Sequence, residues 1–491
     1  MLCGKDLSPA RLIDEYNVKA QRNRKPETFL GRGNMFDSIF KSKWIPVSLQ
    51  VFTFIVFMAL IYLGWGISSD DSAFLLTLRN TNLANLIVWC FWWPGIIIVS
   101  VLFGRLWCTV CPMELMASIL NRVGLKRKIP RIFRTGWAIT LFYVMVLVIG
   151  VHTFAIHRVP HRMAIYMVFL FGLTIVVSLI FEKRAFCTFL CPVGHQLGLY
   201  ASNACMELRI KDKAVCSSCN GKPCVNKNRD FAWYGRACQS YLFPGSLKDN
   251  RDCIVCTQCM KSCPHENVTF RFRRPFKDFF TGIKLNMAQS GFILIVLGFA
   301  FYEVTTEWNT AKALLLAPFK AINAYLHIPP ALSGTMTALL LFTIVPTVLF
   351  ILVTLLQSAV NNKKFSLSGL SLYLTAFIPL IASTHIAKSA VKAVSRFQYI
   401  PGALKDTGGV ETARALNAGL VQIGGQWQRS SNFFAQSISI GVLIIGFIVT
   451  AVLLKRFAKN EKNRFPFFYI MLALAYVTCT AGALIGKIFF P

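Results

Sequence analysis

Residues 253–264 read CIVCTQCMKSCP, and the spacing Cys253-x2-Cys256-x2-Cys259-x3-Cys263-Pro264 is the ligand run of a bacterial-type ferredoxin cluster. A four-iron cube needs four converging thiolates. Three closely spaced cysteines on a tight loop reach three corners, while the fourth, stopped by proline, points to a neighbouring cluster. Zinc ribbons also use C-x2-C pairs, but four cysteines within twelve residues closing on Cys-Pro is not their pattern.

A second, irregular run lies upstream: Cys216-x2-Cys219-x4-Cys224, with Cys238 following after a gap of thirteen residues. In two-cluster ferredoxins the fourth cysteine of each run serves the other cluster. That crossing assigns Cys253, Cys256, Cys259 and Cys238 to one 4Fe–4S cluster, and Cys216, Cys219, Cys224 and Cys263 to the other. The alternatives are one cluster beside a degenerate half, or Cys205 in place of Cys238.

Outside this region the chain changes character. Of 491 residues, 55% are hydrophobic, and the mean hydropathy is +0.53. Such a length and composition indicate a polytopic membrane protein in contact with a lipid bilayer. The net charge of +31 then reads as cytoplasmic loops and contacts to anionic lipid, with no nucleic-acid partner expected. Twelve of the sixteen cysteines fall in tight clusters beside basic loops, which argues for metal centres in a reducing compartment. The polar, basic start shows no short apolar core before a small-residue cleavage site, so no cleaved leader is expected.

Taken in order, residues 1–45 are a basic cytoplasmic segment, 46–186 two transmembrane hairpins, 187–280 a cytoplasmic ferredoxin-like domain, and 281–491 a C-terminal transmembrane domain. The apolar runs predict nine crossings, at about 46–66, 82–104, 137–156, 163–181, 286–303, 334–357, 367–387, 434–454 and 466–489. The fold expected is an α-helical polytopic membrane protein with an inserted two-cluster domain. The long stretch 388–433 is expected as an outer loop. The two hairpins end alike, in GRLWCTVCPM (104–113) and KRAFCTFLCPVG (183–194), an internal repeat. Cys108, Cys111, Cys187 and Cys191 either converge on one further metal or cluster, form redox dithiols at helix starts, or merely accompany proline there. His385, near the end of an apolar span, is a candidate haem ligand or quinone partner, because an ionisable residue inside a membrane suggests function. A lone buried histidine in a helix core is the plainer alternative.

These endings followed by a C-x2-C-x2-C-x3-C-P domain resemble the membrane polyferredoxins, the NapH-type and NosR-type 4Fe–4S electron-transfer proteins, over about residues 45–280. The resemblance implies a multi-pass protein of the bacterial inner membrane with two cytoplasmic 4Fe–4S clusters. It also implies exchange with the membrane quinone pool and with cytochrome or reductase subunits, as in a quinol dehydrogenase component. A redox-sensing or metalloenzyme-assembly factor is the alternative from another class. The chain shows no nucleophile–base pair and no phosphate-binding loop.

Overall fold

The computed structural model describes residues 35–490, so most of the basic lead-in expected at 1–45 lies outside the described residues. Among the described residues, seven helices are long and apolar enough to cross a membrane: Val47–Gly64, Leu83–Phe103, Pro160–Ile180, Met287–Thr305, Leu332–Val360, Gln426–Asn460 and Phe467–Phe489. Hydrocarbon offers no water to backbone N–H and C=O groups, so uninterrupted helix is the form these runs take. Leu367–Thr375 and Ile378–Phe397 pass the same test together, bent by 44° at their junction. The stretch expected as a crossing at 137–156 is the shorter apolar helix Trp137–Thr153. Its second half, Val146–Thr153, widens into a π-helix, as does Ile87–Trp92 within the second span.

The largest core gathers on Met287–Thr305, where Phe292, Ile293 and Val296 are fully buried. That helix starts at a capping box. Asn286 accepts from the Gln289 amide (2.8 Å) and the Gln289 side chain accepts from the Asn286 amide (3.1 Å). Nearby, Ile378–Phe397 and Gln426–Asn460 approach so closely that a Cβ at Gly446 would collide with Ser383.

One expectation is corrected. The loop placed at 388–433 is largely helical: the bent span runs on to Phe397, Ile400–Lys405 and Val410–Asn417 follow, and the next span begins at Gln426. Lys388 and Lys392, read as loop charges, sit inside the helix because Lys388 pairs with Glu303 and Glu307 at the end of a neighbouring helix.

The polar segment is tied off by two antiparallel strands, β1 (Met206–Ile210) and β2 (Val268–Phe272), with Leu208 opposite Phe270. Every cysteine from Cys216 to Cys263 lies on the chain between them. Leu208, Val255, Met260, Val268 and Phe270 form a small buried core under those loops, and Leu106 from the first hairpin packs onto it.

Candidate iron–sulfur site

The two hairpin ends are built to one plan. After each span comes a residue with positive φ, Gly104 (φ 77) directly at the first end and Lys183 (φ 58) three residues past the second, followed by a buried arginine, Arg105 or Arg184. A short helix then carries the first cysteine: Leu106–Val110 holds Cys108 and Ala185–Phe189 holds Cys187. The second cysteine, Cys111 or Cys191, is the N-cap of the next helix, Pro112–Val123 or Pro192–Tyr200, with proline in its first turn. Proline needs no amide partner there, and a capping side chain faces the free N–H groups of that turn. The Gly194 amide accordingly donates to Cys191 Sγ (3.3 Å).

The halves cross over one another. Arg184 of the second repeat pairs with Glu114 of the first, which also holds Arg236 from the polar segment at 2.6 Å. Arg105 of the first repeat lies against Gly194 of the second, where a Cβ would stand 3.0 Å from its guanidinium. This interlock brings the four cysteines into mutual electrostatic reach. Burial raises Cys111, and Cys108 and Cys191 raise it further; burial and Glu114 raise Cys187, with Cys191 and Cys111 adding to it. Cys191 is pushed up to about 11, mainly by burial.

The polar segment holds two more such sets. Burial and then Cys216, Cys263 and Cys219 push Cys224 up to about 11. Cys259 is raised well above the usual thiol range by burial and by Cys256, Cys253 and Cys238, while Cys253 is pushed up to about 11 by burial, with Cys256 and Cys238 among its neighbours. Asn267, itself buried, donates its amide N–H to Cys263 Sγ and its side chain to Cys216 Sγ, both at 3.3 Å.

These donor sets suit iron–sulfur clusters. Bare thiols so buried and crowded resist ionising, and a bound cationic cluster reverses that and takes them as thiolates. Among the described residues no three His, Cys, Asp or Glu side chains close on a single-ion site. A zinc with 2.3 Å bonds draws its sulfurs to about 3.8 Å apart; a four-iron cube keeps them wider. The three sets also stand in series. Cys224 lies within electrostatic reach of Cys259, and Arg184 lies within reach of both Cys187 and Cys256. Thr109, beside Cys108, donates to the Ile254 carbonyl and stitches the hairpin end to the 253–256 loop.

The hydrogen bond to Cys216 should be visible in a potential. Removing a donor to cluster sulfur disfavours the more negative, reduced state. Asn267→Ala is therefore expected to lower the potential of one centre by about 40 mV, equivalent to about 1 kcal/mol in a one-electron couple. Anaerobic redox titration followed by electron paramagnetic resonance checks this; an unchanged or higher potential contradicts it.

His385 is buried, at 4% exposure, on the bent span and is bonded through Nδ1 to the hydroxyl of Tyr200, the last residue of the Cys191 helix. Gln196 Nε2 donates to the Tyr200 oxygen (3.4 Å), and His385 Nε2 is buried without a partner among the described residues. Sequence reasoning missed this link, and it also missed Glu114, Arg184 and Asn267. Only the repeated basic residue before each Cys-Thr hinted at the arginines.

A family model described as a 4Fe–4S binding domain matches residues 85–130 and 163–201. Those stretches are the two hairpin ends, with Cys108, Cys111, Cys187 and Cys191, rather than the strand-bounded cysteine loops. The chain therefore carries a 4Fe–4S binding domain in a multi-pass helical setting. It is also similar to an uncharacterised protein of Methanocaldococcus jannaschii, 24% identical over 196 residues, 36% of this chain and 76% of that protein. No solved structure matches.

Proposed function

We propose that this chain is a membrane-bound iron–sulfur electron-transfer protein of the NapH/NosR polyferredoxin type, holding 4Fe–4S clusters in all three cysteine sets. Membrane quinone on one side and a cytochrome or reductase subunit on the other are its redox partners. The observation that carries this reading is the series of three four-cysteine sets running from the strand-bounded loops to the span ends. When bound, the clusters supply one-electron redox chemistry. The residues do the rest. Arg105 and Arg184 set buried positive charge beside the hairpin thiols, Asn267 and Gly194 donate to sulfur, and the apolar packing of Phe186, Phe189 and Ile129 around Cys187 and Cys191 excludes water. His385 Nε2–H is the donor we assign to a quinone carbonyl, with Tyr200 and Gln196 fixing its orientation.

Anaerobically purified protein is expected to hold about twelve irons and as many acid-labile sulfides, four for each set. Iron that stays at about eight on full reconstitution removes the hairpin cluster, and at about four it removes the two-cluster segment.

The reading also puts the cysteine loops in the bacterial cytoplasm. Two basic stretches, 122–134 and 455–464, touch that segment: Arg122 lies 3.6 Å over the Trp233 ring and Arg456 4.6 Å over that of Phe280. Positive loops are retained inside. A reporter fused after Lys248 is expected to be active in its cytoplasmic form only; alkaline phosphatase activity there reverses the topology.

A further inference from the structure

At the end of the helix bundle opposite the clustered cysteine sets lies a cavity of about 570 Å³, with Cys90 in its lining, a volume typical of small-molecule sites. Seven Lys and Arg residues line it against two glutamates. The glutamates are already engaged: Glu307 pairs with Lys388 and Lys487, and Glu303 lies 3.7 Å from Lys388. Arg79, Lys312, Lys392 and Arg396 have no carboxylate partner among the described residues, and Arg158 meets only neutral His157 Nε2, at 3.1 Å. The imidazole of His157 adds no charge near neutrality, because burial lowers its pKa to about 3.

The lining also holds polar atoms that nothing among the described residues satisfies. Arg79 Nε, Asn85 Oδ1, Trp89 Nε1, His152 Nε2 and His157 Nδ1 are all buried without a hydrogen-bond partner. Buried polar groups are nearly always paired, so five on one cavity mark a place where something else supplies the partners. Two of the walls, Ile87–Trp92 and Val146–Thr153, are π-helical, a distortion frequent at functional sites.

We propose that this cavity binds a small water-soluble organic anion carrying two or more negative charges on carboxylate or phosphate oxygens. Guanidinium and ammonium groups that lack a partner match such oxygens, and charge-assisted hydrogen bonds to them are the strong ones. The size excludes a bare halide as the fitting ligand, and the excess of cations over acids excludes a cation. The site is independent of the iron–sulfur reading, since none of its lining is a cysteine ligand.

The test is thermal unfolding of the full-length protein in detergent, at constant ionic strength, with citrate, succinate and inorganic phosphate against acetate and chloride. Saturable stabilisation by citrate or succinate beyond acetate is expected. Arg79→Gln and Lys392→Gln should each weaken it about ten- to a hundredfold, and Arg79→Lys should keep part of it. Lys459→Gln, at the other end of the bundle, should leave it unchanged. If Arg79→Gln does not fold, Lys392→Gln decides. Equal effects of citrate, succinate, acetate and chloride overturn the proposal. So does unaltered citrate affinity in a folded Lys392→Gln protein. Stabilisation by phosphate alone, or by anionic phospholipid in nanodiscs with none by citrate or succinate, likewise rejects a soluble organic anion.

Discussion

Cys187→Ser is expected to abolish reduction of the clusters in the strand-bounded loops by a quinol analogue, while dithionite still reduces them. Their own ligands, Cys216 to Cys263, lie elsewhere in the chain, so those centres should still assemble. Cys108→Ser should do the same. The sharper result is the double replacement. Cysteines that serve one site act as a unit, so the second change should cost nothing more. The measurement is the anaerobic rate of bleaching with quinol against dithionite in all three variants. Partial losses that multiply in the double variant would mean the four thiols do not form one site. Reduced yield with a normal quinol rate would point to a packing role instead.

Glu114→Gln carries the largest expected effect on stability. This carboxylate is 1% exposed and is shared by Arg184 and Arg236, so its removal leaves two poorly solvated guanidiniums facing a neutral amide. Breaking a buried pair in this way typically costs about 3–5 kcal/mol. The loss should appear as a lower denaturation midpoint of the detergent-solubilised protein. Adding Arg184→Met to Glu114→Gln should recover part of it, since an apolar replacement of the whole pair is far less costly than a lone charge. A single variant within about 1 kcal/mol of the parent would show that the interlock rests on packing alone.

Much of this architecture can be read from the chain itself, for identifiable reasons. Cysteine spacing is local, and thiolate geometry leaves few alternatives, so the runs at Cys216–Cys238 and Cys253–Cys263 stand out in the sequence as candidate donor sets. The hairpin repeat is legible because proline after cysteine signals a helix start. What escaped depends on partners far apart in sequence. β1 and β2 are five residues each, separated by the whole cysteine segment, and too short to announce themselves. Lys388 and Lys392 looked like loop charges because Glu303 and Glu307 lie more than eighty residues away. The cavity at the far end was hidden for the same reason: Arg79, Lys312 and Lys392 come from separate elements and become one surface only when the helices pack.

The crossing of Arg105 and Arg184 between the two hairpins bears on how the protein is made. Neither half owns a complete site, because each supplies two cysteines and the arginine that braces the other half. A nascent chain released after the first hairpin would present Cys108 and Cys111 to the cell's iron–sulfur delivery machinery with nowhere to retain the cargo. If the hairpin cysteines hold the proposed cluster, its maturation must wait until translation and membrane insertion have delivered the second hairpin. On that proposal, the cofactor content of the hairpin site would report completed biogenesis of this half of the molecule.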